Sequence, residues 1–162
     1  MRLSRRIPAF AFLSAVTLFC ERPAPNPRVQ AERFIGALNA GEVDSLLRFS
    51  ADTMLFREQR WESASDGSGF SLGAATDTVV SGAEAKRAFF TGLVGRVHVK
   101  GTTAVERPPS RESILSEQLN HADPRWAGLE FFLFLRGEGD VEHTALIGID
   151  PATHTVAAFY IN

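Results

Sequence analysis

The chain has 162 residues, 44% of them hydrophobic, and a formal net charge of −2 at pH 7. That length supports one domain with a substantial core and not two. The mildly acidic, mixed-sign composition lacks the cationic clustering on which phosphate binding rests, so no nucleic-acid partner is expected.

In chain order the first feature is a leader. MRLSRR is short and basic, and the apolar run IPAFAFLSAVTLF follows it. This is the anatomy of a secretory signal peptide, and the run is short for a transmembrane helix. Cys20, the single cysteine, ends the run, and a lone cysteine excludes an intrachain disulfide. The proline-rich ERPAPNP after it reads as an extended, solvated tether. The segment resembles a bacterial lipoprotein signal, with residues 1–20 as leader, Cys20 as lipidation site and 21–27 as tether. It departs from that pattern at Thr17 and Phe19, where the family has a branched aliphatic and a small residue. A plain signal peptide cleaved nearby is the alternative. The resemblance implies export to the cell envelope or periplasm, with membrane contact only through a lipid anchor.

Asn26-Pro27 reads as an N-cap and first helical residue, and Ala31, Phe34, Ile35 and Leu38 then recur at helical spacing. NAG at 39–41 stops that helix. Val43, Leu46 and Leu47 begin a shorter one, ending near Ser50. TMLFRE (53–58) reads as a strand. ESASDGSGFSLGAATD (62–77) reads as a mobile loop, with a weak strand near DTVV. Ser81 and Glu84 have the spacing of a capping box ahead of a helix carrying Ala85, Phe89, Phe90 and Leu93. RVHVKGTTAVE (96–106) alternates and predicts a long strand, with His98 and Lys100 on its wet face. A short polar helix is expected from Ser110 to Asn120. LEFFLFLR (129–136), VEHTALIGI (141–149) and TVAAFYI (155–161) predict three closing strands. Helices followed by consecutive strands indicate an α+β fold, an antiparallel sheet with helices on one face.

AERFIGALNAGEVDSLLRFSADTMLF, then SGAEAKRAFFTGLVG, then strands closing in a hairpin, resembles the nuclear transport factor 2-like superfamily, to which SnoaL-like cyclases and ketosteroid isomerases belong. The resemblance covers residues 28–162 and rests on element order and on the segment from Leu38 to Asp52. It implies a cone-like curved sheet wrapped around the N-terminal helices, enclosing a cavity. It also implies a homodimer through the sheet's outer face.

Four groups of residues are candidates for chemistry. In the closing hairpin, DPATH reads as a turn in which Asp150 caps the backbone and His154 takes a left-handed conformation. Placing Asp150 opposite Thr155 pairs Ile147 with Ala158, Ala145 with Tyr160 and His143 with Asn162. One face would then carry His143, Tyr160 and Asn162 around two alanines, a hollow with polar groups at its wall. The opposite face would carry Leu146, Phe159 and Ile161. His143 and His154 fall at opposite ends, so they share no metal. Glu130, in an apolar strand, is a candidate acid or base. Asp52 reads as a turn brace. Against the isomerase pattern, the first helix has no tyrosine, and the position of the catalytic base holds Arg57, with Glu58 next to it. The isomerase site is therefore not carried over. Metal, nucleophile-elbow and phosphate-loop motifs are absent from the sequence, so neither metal nor cofactor is expected.

These readings favour an exported domain binding a small, mostly apolar ligand in its cone cavity, through His143, Tyr160, Asn162 and Glu130; an interior filled by phenylalanine side chains would count against it. One alternative is a cofactor-independent acid–base enzyme (dehydratase, isomerase or cyclase type) using His143 with Glu130 or Glu58. Another is a dimeric interaction module with no active site.

Overall fold

A computed structural model describes residues 26–63, 67, 69–136 and 143–162. The leader, Cys20 and most of the tether lie outside the described residues.

Helix α1 (Pro27–Ala40) starts where Asn26 accepts a bond from the Arg28 N–H at 2.9 Å and ends at Gly41, whose φ of 73° suits glycine. Its apolar stripe Ala31, Phe34, Ile35 and Leu38 is buried, as the spacing requires. Helix α2 (Val43–Phe49) leads directly into strand β1 (Ser50–Ser63). Strand β2 (Phe70–Ser81) returns beside β1, and helix α3 (Ala83–Leu93) follows. After an irregular stretch come α4 (Arg111–Ser113), a π-helical turn (Ile114–Gln118) and a 3-10 helix (Pro124–Gly128). Strands β3 (Glu130–Arg136), β4 (His143–Ile149) and β5 (Val156–Ile161) close the chain.

The fold is α+β. Its five-stranded sheet has the order β2-β1-β5-β4-β3 and is mixed, because β1 and β5 run parallel while the other neighbours are antiparallel. Both faces are covered. On the inner face α1 and α3 pack on Met54, Phe56, Phe134, Ile147, Phe159 and Ile161. Phenylalanines fill this space edge to face, with ring centroids 5.9 Å apart for Phe34 and Phe90 and 5.8 Å for Phe34 and Phe159. On the outer face Leu55, Leu133, Leu146, Ala158 and Tyr160 lie under Ile114, Leu119, Trp126 and Leu129. Gly148 permits this close cover, since a Cβ there would sit 2.7 Å from Leu129 Cδ1.

Five expectations are corrected. The sheet is not antiparallel throughout with helices on one face, because β1 lies parallel to β5 and the 111–128 segment covers the second face. Much of the expected loop at 62–77 is strand: Phe70 to Asp77 pair with β1 along a sheet edge, where small side chains need no burial. The expected capping box does not form. Gly82 is the N-cap, while Ser81 ends β2 and its hydroxyl lies 3.0 Å from that of Thr53.

The 96–106 stretch is not a strand. Val97 and Val99 are buried and His98 and Lys100 exposed, as the alternation says, but the backbone finds other partners. The Asn39 side chain bonds both the N–H and the C=O of Val99, at 2.9 and 2.8 Å. Glu32 and Arg28 do the same for Ala104. Just after each clamp, Lys100 and Val105 donate to Leu135 and Leu133, so the segment has more residues than the β3 edge can pair. It bulges at Gly101, where φ is 73°.

The closing hairpin is also out of the expected register. Ile149 does face Val156, but Ala157 is then skipped, so Ile147 faces Phe159, Leu146 faces Tyr160 and Ala145 faces Ile161. A one-residue shift exchanges the faces. Phe159 and Ile161 turn to the helices, and Tyr160 turns outward beneath the 111–128 segment.

Candidate functional site

The last turns of the inner face are not covered by helix, and a pocket of about 370 Å³ opens there. Strand β1 brings Glu58 to it, β4 brings His143, and Asn162 follows β5. Val97, Ile161 and Trp61 supply apolar wall, and Arg60, Arg96 and Arg136 supply charge.

Glu58 anchors the electrostatics. Arg96 Nη1 donates to both carboxylate oxygens, at 3.1 and 3.0 Å, and Arg60 donates to Oε1 at 3.2 and 3.1 Å. Burial pushes the Glu58 pKa up, but the bonds from Arg96 and Arg60 outweigh it and hold the carboxyl below its ordinary range. It is a committed anion and a weak base. Arg136 is different. Its Nη1 donates to the Asn162 main-chain oxygen at 2.7 Å, and its Nε is buried without a partner. Burial draws its pKa down; the charge of Glu58 works against this and that of Arg96 adds to it.

His143 Nδ1 lies 3.1 Å from the same Asn162 oxygen. A carbonyl only accepts, so Nδ1 carries the proton and Nε2 is the acceptor of the neutral ring. The Asn162 side-chain oxygen accepts from the Thr144 N–H at 2.6 Å. That bond prolongs the β4–β5 pairing and fixes the oxygen that Arg136 and His143 share.

Of the residues singled out in the sequence, Glu58, His143 and Asn162 are brought together. Tyr160 and Glu130 are not among them. Tyr160 is wholly buried on the outer face, with its hydroxyl 3.3 Å from Gln59 Oε1, and burial raises its pKa. Glu130 is exposed and pairs with Ile149, while Arg136 pairs with His143. That is the far end of the same strand pair, about 20 Å away at roughly 3.3 Å per residue. His154 is a turn residue as expected: its φ is 55° and its N–H donates to the Asp150 carbonyl at 2.8 Å. Asp150 caps the same turn by accepting from the Ala152 N–H at 2.8 Å. Arg57, which the resemblance aligned with an isomerase base, points outward and holds Asp77 at 2.9 Å and the Asn120 carbonyl at 3.0 Å.

The arginines are what sequence reasoning missed. Arg136 shares parity with Glu130, and the β3–β4 register alone would have set it opposite His143. A second cleft, of about 420 Å³, opens on the outer face beside Asp77 and His121, but its buried cation, Arg57, is already paired. Among the described residues no group of three or more His, Cys, Asp or Glu side chains is placed to hold a metal, and no helix is long and apolar enough to cross a membrane. Compared with known proteins, the chain matches no family model, and no curated protein is detectably similar to it in sequence.

Proposed function

We propose that the chain is an exported, nuclear transport factor 2-like domain of the SnoaL-like type that binds a small, mostly apolar molecule at the open end of its sheet. The element order favours the superfamily, while the parallel pairing of β1 with β5 departs from the antiparallel sheet that the resemblance implies. The interior expected to hold the ligand is instead filled by Phe34, Phe56, Phe90 and Phe159, so binding inside the cone is given up and the ligand belongs at the end of the inner face. The observation that carries the reading is the pocket itself. Its volume of about 370 Å³ falls in the range of small-ligand sites. It combines an apolar wall with the Nε2 acceptor of His143.

Titration with small neutral aryl alcohols and amides, followed by amide NMR, tests this. Saturable shifts centred on Val97, His143 and Ile161 support it. Their absence at millimolar ligand, or shifts confined to the outer face, overturns it.

Acid–base catalysis is the second reading, favoured by the presence of His143 and Glu58 in one pocket. It ranks behind binding because Glu58 is held as an ion pair, which leaves His143 without a second proton-transfer group. Tethering through Cys20 is proposed on the leader alone. Mass spectrometry of the mature N-terminus tests it: a lipid-modified Cys20 supports the tether, and a mature chain beginning elsewhere removes it.

A further inference from the structure

We propose that the molecule bound at the open end of the sheet carries a carboxylate, and that Arg136, flanked by Arg96, receives it. The inference rests on that pocket being the binding site.

The first argument is the charge around the pocket. Among the described residues its lining includes the guanidiniums of Arg60, Arg96 and Arg136 and one side-chain carboxylate, Glu58. Glu58 is shared by Arg96 and Arg60, so its oxygens are already engaged. Among the described residues Arg136 pairs with no Asp or Glu side chain; its Nη1 holds the Asn162 main-chain oxygen. The chain as a whole is acidic, at −2. Cationic charge gathered in one cleft of an acidic protein focuses the local field toward anions.

The second argument is hydrogen bonding. A guanidinium has five N–H donors. Arg136 bonds one main-chain oxygen, and its buried Nε has no acceptor. A buried donor without a partner costs about 1–3 kcal/mol, more when charged. Nε together with one Nη forms the fork that a carboxylate engages through both oxygens. Nε is buried, so a carboxylate meets that donor only when the Arg136 side chain rotates toward the pocket; there it would also separate two like charges, Arg96 and Arg136.

The third argument is the surroundings. Val97 and Ile161 are buried hydrophobics of the inner core whose edges reach the pocket, and Trp61 adds an aromatic surface. The fitting ligand is therefore an amphipathic acid with a short aryl or alkyl body and a terminal carboxylate.

The experiment uses two matched probes, 4-phenylbutyrate and its primary amide, titrated by calorimetry and amide NMR at low salt. The acid is expected to bind at least tenfold tighter than the amide, with shifts at Arg136 and Val97, and to weaken as salt rises while the amide does not. Arg136→Gln should abolish the preference. Arg87→Gln removes the same charge far from the pocket and should preserve it. Equal affinity of acid and amide at the pocket would overturn the carboxylate inference and leave the binding site standing; the chain's own carboxylates would then already neutralise these arginines. Binding of neither probe would overturn both. Should Arg136→Gln fail to fold, the salt dependence and the acid–amide ratio of the unaltered protein still decide. Phenylpropyl phosphate is a third probe, and tighter binding by it than by the acid would replace carboxylate with phosphate.

Discussion

Glu58 shows how one side chain changes meaning with its surroundings. The sequence resemblance sets it beside the position of an isomerase base. In the fold two arginines bond its carboxylate, and its charge stabilises structure. A carboxyl whose folded pKa lies below its unfolded value contributes stability that is fully present above the unfolded value and is lost as the pH falls through the folded one. Glu58→Gln should therefore lower stability at pH 7, by about 1 kcal/mol or less for partly exposed ion pairs. The gap to the parent should begin to close below the ordinary carboxyl value of 4.5. Urea midpoints of both proteins from pH 7 down to pH 3 check this. A gap that does not change with pH would mean that the amide disturbs packing and that the charge contributes nothing. The same contrast holds at Arg57, whose side chain is 7% exposed against 43% for its partner Asp77. There the cation is buried and its counter-ion is half in water, the reverse of a solvated surface pair.

At the scale of elements, the joint between β2 and α3 depends on backbone geometry more than on the side chains that the sequence advertises. Ser81 and Glu84 have capping-box spacing, yet the chain turns at Gly82 with φ 83° and ψ 152°, a region essentially reserved for glycine. The Ser81 hydroxyl is engaged with Thr53 instead. Gly82→Ala should cost about 2 kcal/mol. Gly41→Ala, at an ordinary left-handed helix end with φ 73°, should cost about 1 kcal/mol. At neither position would a Cβ meet another atom within 4 Å, so the difference is one of backbone conformation alone. Thermal or urea unfolding of the two variants checks the order, and equal losses would remove the argument.

The same joint shows what the sequence can express. Helices α1, α2 and α3 were legible because their signals are local: apolar spacing, Asn26-Pro27, Gly41. Of strand β2 only the end near DTVV was legible; the rest was not, because its pairing is imposed by β1, and Ser71, Ala74 and Thr76 carry no pattern of their own. The 96–106 segment misled for the opposite reason. Its alternation is real, but its backbone partners are side chains of α1, a tertiary fact. For the site, Glu58, His143 and Asn162 could be named in advance. Tyr160 could not be placed, because the skipped residue at Ala157 reverses its face, and Arg60, Arg96 and Arg136 converge only once the strand order is known.

For the whole molecule, the decisive feature is that one sheet carries two unlike covers. The superfamily resemblance implies a second copy on the outer face. Here the chain's own Ile114, Leu119, Trp126 and Leu129 occupy that face over β3, β4 and β5. The cover is not an appendage. Leu146 and Tyr160 beneath it belong to strands whose next residues, Ala145, Ile147, Phe159 and Ile161, form the inner core. Loosening one layer should therefore be felt by the other. Trp126, 2% exposed, is the largest side chain of the cover. Trp126→Ala should cost about 3–5 kcal/mol, the usual range for truncating a buried tryptophan or phenylalanine. It should also uncover apolar surface and make the chain self-associate. Phe90→Ala on the inner face should cost a similar amount without exposing that surface. Urea midpoints and sedimentation velocity separate the outcomes. If Trp126→Ala leaves the midpoint in place and only speeds hydrogen exchange across 111–128, the outer layer is dispensable. The sheet would then be free to pair through that face, as the resemblance implies.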